Sequence, residues 1–212
     1  MEIFWHGKSS FTILSSKIEV LFDPEDEASK KNGGEGEMII IKTDPASGVQ
    51  KESGASSKKE KIRIIDRPGE YEISGLMMQG IPAEGKGGLS DQISMFTLRV
   101  EGIAVAHLSR LKQKSLTENQ LSELNGVDIL LVPVGGKDVM TGKEASEIVS
   151  EIDPRVVIPM YFSSKEDLPG FSDVNEFLKT EGIKETEVKP SLKIEKKKLP
   201  VEEREVVLLE VK

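Results

Sequence analysis

The stretch VDILLVPVGGKDVMTGKEASEIVSEIDPRVVIPMYF, residues 127–162, predicts two buried strands with a helix between them. Its two ends are short apolar runs, which are typical of strands buried on both faces of a sheet. Between them, Thr141 and Glu144 have the spacing of a capping box, which indicates where a helix begins. One face of this helix is apolar and carries Ala145, Ile148, Val149 and Ile152. This part of the chain therefore alternates strands with a helix.

Strand patterns dominate the chain before this unit. Near the start, EIFW, SFTIL and KIEVLF are short runs rich in β-branched and aromatic residues, which predict hairpins or a meander. Glu101-Gly102 separates ISMFTLRV from IAVAHL and predicts a hairpin turn. Helices are also predicted at the capping box of Thr117 and Gln120 and in DVNEFLKTEG, and the tail REVVLLEV is expected to pair into a sheet. This order predicts sheet packed on sheet with helices outside.

The composition is that of a soluble globular protein of 212 residues, and we expect a single domain over residues 1–212. No apolar stretch approaches the roughly 20 residues of a membrane helix, and MEIFWHGKSS lacks the features of a signal peptide. We therefore expect a cytoplasmic protein with no membrane partner. The net charge of −8 argues against a nucleic-acid partner. The oligomeric state stays open, a homo-oligomer included.

The counts of histidine and cysteine limit the metal chemistry. There are two histidines, His6 and His107, and no cysteine. Catalytic zinc sites usually use several imidazole ligands supported by carboxylate. The chain cannot supply a histidine-rich site for two metal ions. Each histidine has apolar neighbours near a strand end, which is more typical of a hydrogen-bonded structural residue than of a catalyst.

Three polar motifs are better explained by structure than by ligand binding. HGKSS at residues 6–10 lacks the earlier glycine of a phosphate-binding loop, because position 2 is Glu2, and it predicts a turn between strands. DPEDE at residues 23–27 lacks the ligand spacing of a calcium loop. KIEKKK at residues 193–198 has no aromatic residues for stacking on bases and predicts a solvated strand edge. Residues 43–61 are polar and rich in glycine and serine and predict a flexible loop.

Several stretches, taken together, resemble the metallo-β-lactamase superfamily, specifically its branch of small zinc-dependent hydrolases related to ascorbate-lactonase-like proteins. The stretches are RPGEYEISG, GIAVAHLSRL, LTENQLSEL, VDILLVPVGG, KEASEIVSEIDPRVVIPM and an early W-x-G followed by DP. They run in consistent order from Ile3 to about Phe177. The resemblance implies an α+β fold of the αββα type, in which two mixed β-sheets pack face to face with helices on the outer faces. It also implies a metal cleft at the edge of the sandwich.

The positions that correspond to the family's metal ligands hold other residues. The His-x-His-x-Asp-His motif belongs after the strand at EMIII, and its ligand positions are filled here by Lys42, Asp44, Ala46 and Ser47. The family's HLGD reads HLSR, which puts Arg110 in place of the metal-bridging aspartate. The family's IPMH reads IPMY, which puts Tyr161 in place of the last histidine. The resemblance implies zinc, but these replacements predict no metal ligands, no catalytic residues and no cofactor.

These replacements lead to three hypotheses about function. The leading one is a non-catalytic protein that acts by binding or assembly, with a small anionic ligand or a protein as its partner. The second is a metal-independent enzyme in which Lys42, Arg110 and Tyr161 bind an anionic substrate. The third is a site for a hard cation built from carboxylates. The degenerate cleft comprises Asp23, Lys42, Asp44, Ala46, Ser47, Arg110 and Tyr161, in which the two basic residues could form salt bridges with the two aspartates or side chains could simply fill the space.

Overall fold

The computed structural model describes residues 1–25, 37–44, 62–163, 168–184 and 186–212. The predicted flexible loop at 43–61 lies outside these ranges except for Thr43 and Asp44. The strands are β1 Glu2–Trp5, β2 Phe11–Leu14, β3 Ile18–Phe22, β4 Glu37–Ile41, β5 Ile62–Ile65, β6 Gly69–Ile73, β7 Leu76–Gly85, β8 Gly88–Val100, β9 Ile103–His107, β10 Ile129–Pro133, β11 Val156–Met160, β12 Val188–Lys189, β13 Leu192–Lys193, β14 Glu205–Val206 and β15 Leu208–Leu209. The helices are α1 Glu118–Leu124, α2 Gly142–Ile152, α3 Asn175–Thr180 and a 3₁₀ helix Lys196–Lys198.

Two mixed sheets contain most of these strands. The first has the order β13-β1-β2-β3-β4-β5. Its first strands are antiparallel, as the predicted meander requires, and β3, β4 and β5 run parallel. The second has the order β14-β11-β10-β9-β8-β7-β6, with β9, β10, β11 and β14 parallel and β6 to β9 antiparallel. Strands β12 and β15 form a separate pair.

The inner faces of the two sheets form one apolar core. Along β1 to β4, alternate residues point inward, so Trp5, Phe11 and Phe22 are fully buried. Phe96 on β8 is equally buried and belongs to the same cluster. Removing each such side chain from water contributes about 1.5–3 kcal/mol, which offsets the loss of chain entropy. The predicted packing of sheet on sheet is confirmed.

The helices contact the second sheet. Helix α1 contacts β7, and α2 contacts β10 through its apolar face. Both predicted capping boxes are present, since the Thr117 and Thr141 hydroxyls accept from the amides of Gln120 and Glu144, whose side chains bond back. On the first sheet, Leu21, Met38 and Ile40 form a small apolar cluster that is separate from the main core.

Local turn chemistry fixes the register of the antiparallel strands. Glu101 and Gly102 have φ values of 50° and 79°, which is the geometry of a two-residue type I′ hairpin, and they join β8 to β9 as predicted. The turn at Ser74 and Gly75, with φ values of 51° and 79°, joins β6 to β7 in the same way. Among the described residues, no helix is long and apolar enough to cross a membrane.

Candidate functional site

Four strands of the two sheets end at one edge of the sandwich. Asp23 follows β3, Thr43 follows β4, Ser109 follows β9 and Tyr161 follows β11. The carboxyl ends of parallel strands meet at one edge of a sheet, and the two sheets bring their edges together here. The Ser94 amide on β8 donates to the Thr43 carbonyl oxygen at 2.7 Å and joins the two sheets at this point.

The backbone at this edge is strained. The described residues include eight non-glycine residues with positive φ, and four of them lie here: Lys8 at 45°, Asp23 at 41°, Ser109 at 56° and Tyr161 at 56°. A non-glycine residue in this conformation costs about 1–3 kcal/mol, so the surrounding packing must hold it in place. Asp23, Ser109 and Tyr161 all point into one hydrogen-bond network, whereas Lys8 forms an exposed ion pair with Glu25.

Asp23 is the centre of a buried hydrogen-bond network. Its Oδ1 accepts from the Thr43 amide at 2.7 Å, and its Oδ2 accepts from the Thr43 hydroxyl at 2.5 Å. Because Thr43 gives its hydroxyl proton to Asp23, the Ser109 hydroxyl donates to Thr43 Oγ1, 2.7 Å away. Burial raises the pKa of Asp23 to about 6, although the Thr43 bonds oppose that shift.

His107 lies behind this network, and hydrogen bonds occupy both of its ring nitrogens. Nδ1 accepts from the Ser109 amide at 3.0 Å, so Nε2 carries the proton and donates to the Ser9 carbonyl oxygen at 2.9 Å. The ring stacks on Phe22 with centroids 4.5 Å apart. Burial lowers the pKa of His107 to about 4, so the ring is neutral. It is a hydrogen-bonded core residue, as the sequence predicts.

Ser9 and Tyr161 complete the network. The Tyr161 hydroxyl lies 3.3 Å from Ser9 Oγ, and Tyr161 stacks on Phe171 with centroids 6.0 Å apart. The Ser9 hydroxyl also hydrogen-bonds Asp23, and burial raises the pKa of Tyr161. We call these residues the Asp23 cluster. It consists of Ser9, Asp23, Thr43, His107, Ser109 and Tyr161.

An ion-pair cluster adjoins the Asp23 cluster. Arg110 Nε donates to Asp44 Oδ2 at 2.5 Å, and its two terminal nitrogens donate to Asp91 Oδ2 and Oδ1 at 2.8 and 2.5 Å. The two bonds to Arg110 lower the pKa of Asp91 to about 2. Gly85 lies against the pair, and a side chain there would collide with Arg110. Asp44, Asp91 and Arg110 form the Arg110 cluster.

The structure brings together four of the seven residues predicted to form the cleft. Asp23 and Tyr161 lie in the buried cluster, and Asp44 and Arg110 form the expected salt bridge. Asp23, however, is held by hydroxyl groups and an amide instead of a cation. Ala46 and Ser47 lie outside the described residues.

Lys42 takes a different place from Arg110. Its amide donates to the Ile65 carbonyl oxygen at 2.8 Å, and it continues the alternation of Met38 and Ile40, which face away from the inter-sheet core. Thr43, one residue later, is the side chain that enters the buried cluster. The predicted basic pair of Lys42 and Arg110 stays a prediction, and the structure shows the Arg110 guanidinium bound to Asp44 and Asp91.

The sequence reasoning missed four residues of the site. Thr43 and Ser109 each stand beside a predicted residue, so strand alternation was the signal that could have identified them. Ser9 lies in the turn HGKSS, where its hydroxyl turns back toward Asp23. Asp91 lies in the long strand β8, and no local pattern in the sequence distinguishes it from an ordinary exposed aspartate.

Among the described residues at this edge, the side chains do not form a ligand set for a catalytic zinc ion. Within the described ranges, no group of three His, Cys, Asp or Glu side chains converges so that it could hold a metal. His107 has no free lone pair, and Arg110 already binds Asp44 and Asp91. His6 Nε2 lies 2.8 Å from Thr12 Oγ1, and burial lowers its pKa. Zinc in an enzyme needs several neutral imidazoles or carboxylates aimed at one point.

Comparison with known proteins gives consistent matches over most of the chain. The family model described as a beta-lactamase superfamily domain matches residues 2–161. A UPF0173 protein of Pyrococcus furiosus is 26% identical over 199 residues, which cover 84% of this chain and 90% of the relative. A UPF0173 metal-dependent hydrolase of Pyrococcus abyssi is 31% identical over 125 residues, 55% of this chain and 52% of the relative.

Solved structures agree with these matches. A crystal structure from Thermotoga maritima, of a proposed Zn-dependent hydrolase of the metallo-β-lactamase superfamily, has 27% sequence identity and a TM-score of 0.75, and the match covers 98% of this chain and 97% of that chain. A metallo hydrolase from Ignicoccus hospitalis has 17% identity and a TM-score of 0.61 over 84% of this chain and 89% of that chain. The fold predicted from the resemblance is confirmed.

Proposed function

This chain belongs to the beta-lactamase superfamily, and we propose that it is a member that has lost metal-dependent hydrolysis and acts by binding or assembly. The observation that carries the proposal is the Arg110 guanidinium, which binds Asp44 on one side and Asp91 on the other. A guanidinium is always charged and presents its donors in a rigid fork, so it can bind two carboxylates at once and offset one of their two negative charges.

The charge balance at the Arg110 cluster supports this proposal. Arg110 contributes one positive charge against the two negative charges of Asp44 and Asp91, and each carboxylate is less than a third exposed. A divalent cation placed between these carboxylates would meet the guanidinium at close range and be repelled. It would have to displace a side chain that is tethered to the fold.

The neighbouring Asp23 cluster offers no activated water in place of a metal. Metal-dependent hydrolases of this kind rely on a cation that lowers the pKa of a bound water to near 7. The hydroxyls of Thr43 and Ser109 are buried and already hydrogen-bonded, so a substrate has no direct access to them. This arrangement also disfavours a metal-independent enzyme, because Arg110 uses three of its five N–H donors on two carboxylates, whose negative charges repel an anionic substrate.

Metal analysis combined with a hydrolysis assay tests the proposal. The protein is purified after expression in media supplemented with zinc, manganese or iron, and its metal content is measured by plasma mass spectrometry. It is then assayed against lactone, ester and phosphodiester substrates with and without a chelator. We expect no stoichiometric metal and no hydrolysis that the chelator removes. One equivalent of tightly bound metal together with chelator-sensitive hydrolysis would refute the proposal.

A further inference from the structure

Strand β6 forms one edge of the seven-stranded sheet, and among the described strands β7 is its one neighbour. The two-residue turn after Ile73 makes Ile73 and Leu76 a hydrogen-bonded pair. Because such pairs alternate along an antiparallel ladder, the N–H and C=O groups of Glu70 and Glu72 point away from β7. These groups form a row of donors and acceptors along the open edge of the sheet.

The outer face beside this edge forms a groove lined by both polar and apolar side chains. The strand register puts Glu72, Met77, Arg99 and Ala104 in one row across β6 to β9, and Glu70, Gln79 and Thr97 in the next. The groove has a volume of about 490 Å³, and residues 123–127 line its far side. Met77 is 60% exposed, which is unusual for a large apolar side chain on a sheet.

The charged side chains that line the groove indicate which kind of strand can bind there. The groove is lined by three acidic residues, Glu70, Glu72 and Glu123, and by one basic residue, Arg99. In the parts of the chain that the structure describes, none of the salt bridges involves these four residues, whereas Asp44, Asp91 and Asp128 each have a basic partner. A second copy of β6 would bring glutamates opposite glutamates, and like charges in that position are destabilising. The edge is therefore complementary to a basic strand.

We infer that this edge of the second sheet is a docking site for an extended segment of another protein in which basic and apolar residues alternate. The segment adds to β6 as an extra strand and makes main-chain hydrogen bonds with Glu70 and Glu72. Its side chains directly opposite those glutamates are Lys or Arg and lie on the outer face, over the groove. The side chain between them is apolar and lies beside Tyr71, which is half-buried at the rim of the core.

Fluorescence anisotropy with a labelled peptide, SKVKVKS, tests this inference on the whole protein. The matched control peptide is SKKKVVS, which has the same composition and charge but lacks the alternation. We expect SKVKVKS to bind about tenfold more tightly than the control peptide, because attraction by the net charge alone does not distinguish them. Amide hydrogen exchange should slow at Glu70 and Glu72 when SKVKVKS is bound. Equal affinity for both peptides, or protection confined to other strands, would overturn the inference.

Matched variants locate the binding surface. The double variant Glu70→Gln/Glu72→Gln keeps the strand but removes two charges, and we expect it to weaken binding of SKVKVKS about tenfold. Glu202→Gln/Glu203→Gln removes two exposed charges from the turn before β14, at the opposite edge of the same sheet, and should leave the affinity unchanged. Equal losses of affinity in the two double variants would overturn the inference that SKVKVKS binds at β6. So would a wild-type dimer in light scattering in which the amides of Glu70 and Glu72 are protected from exchange, because the edge would then belong to a second copy.

Discussion

The Asp23 cluster and the Arg110 cluster are built from neighbouring residues of the same strand ends but stabilise the fold differently. Thr43 and Ser109 turn inward to Asp23, whereas Asp44 and Arg110, one residue later in each loop, meet at the surface. The Asp23 cluster is buried and held by hydroxyl hydrogen bonds, and the Arg110 cluster is half-buried and held by charge. The comparison teaches that one edge of the sandwich is divided into an interior that fixes backbone geometry and a rim of paired charges.

Replacing Thr43 would have the largest effect on this division. Thr43→Val removes the hydroxyl that donates to Asp23 and accepts from Ser109, so two buried polar groups lose a partner. We expect the free energy of unfolding to fall by about 3 kcal/mol, measured by urea denaturation. Thr180→Val, at an exposed helix end, is the matched control and should change it by less than about 0.5 kcal/mol. Equal effects would show that the Asp23 cluster does not hold the edge together.

Asp23 and His107 affect the pH dependence of stability in opposite directions. Burial raises the pKa of Asp23 from 3.8 to about 6 and lowers that of His107 from 6.5 to about 4. Between pH 4 and 6, folded Asp23 binds more protons than the unfolded chain, so its contribution to stability falls as the pH rises. Folded His107 binds fewer protons, so its contribution rises over the same window.

In the wild type, Asp23 and His107 make opposite contributions to the pH dependence of stability. Asp23→Asn removes the contribution of Asp23. We expect the free energy of unfolding of Asp23→Asn to rise by about 3 kcal/mol more than that of the wild type between pH 4 and pH 6.5. Urea denaturation at a series of pH values measures the difference. Parallel profiles for the two proteins would mean that Asp23 does not take up a proton in this range.

Replacing Arg110 tests how the Arg110 cluster contributes to stability and excludes cations. Arg110→Met leaves Asp44 and Asp91 without their shared cation, and we expect the free energy of unfolding to fall by about 1–2 kcal/mol, since the pairs are partly exposed. Two carboxylates that have lost their guanidinium attract hard cations. Millimolar Mn²⁺ should therefore raise the melting temperature of Arg110→Met and leave that of the wild type unchanged.

Arg204 offers a matched control for this variant. It also binds two carboxylates, those of Asp153 and Glu181, but away from the cleft. Arg204→Met should lose stability without a response to Mn²⁺, because Asp153 is almost fully exposed. If Mn²⁺ stabilises the wild type as strongly as Arg110→Met, the guanidinium does not exclude the cation, and the proposed loss of function fails.

Tyr161 should show the smallest effect. Its hydroxyl lies 3.3 Å from Ser9, a long hydrogen bond, while its ring is held by packing and by stacking on Phe171. Tyr161→Phe should lower the free energy of unfolding by about 0.5 kcal/mol. Tyr71→Phe, which removes an exposed bond to the Arg67 carbonyl oxygen, is its control. A loss of several kcal/mol in Tyr161→Phe would place Tyr161 at the centre of the Asp23 cluster.

Sequence patterns predicted the fold better than the site. The capping boxes at Thr117 and Thr141 and the turn at Glu101-Gly102 depend on residues close together in the chain, so their structures follow from local chemistry. Arg110 and Asp44 were predicted to meet because the resemblance to the superfamily places both at positions of metal ligands in one cleft. Asp91 could not be predicted, because its contact with Arg110 depends on how far the long strand β8 extends past β9.

One contact across the edge of the sandwich links the two sheets in a further way. The Ser94 amide belongs to β8, but its acceptor is the Thr43 carbonyl oxygen beyond β4. This proton can exchange with solvent only when the two sheets separate at that point, even if each sheet keeps its own ladder. The exchange rate of the Ser94 amide therefore reports whether the two sheets can separate while each stays folded, or whether the molecule unfolds as one cooperative unit.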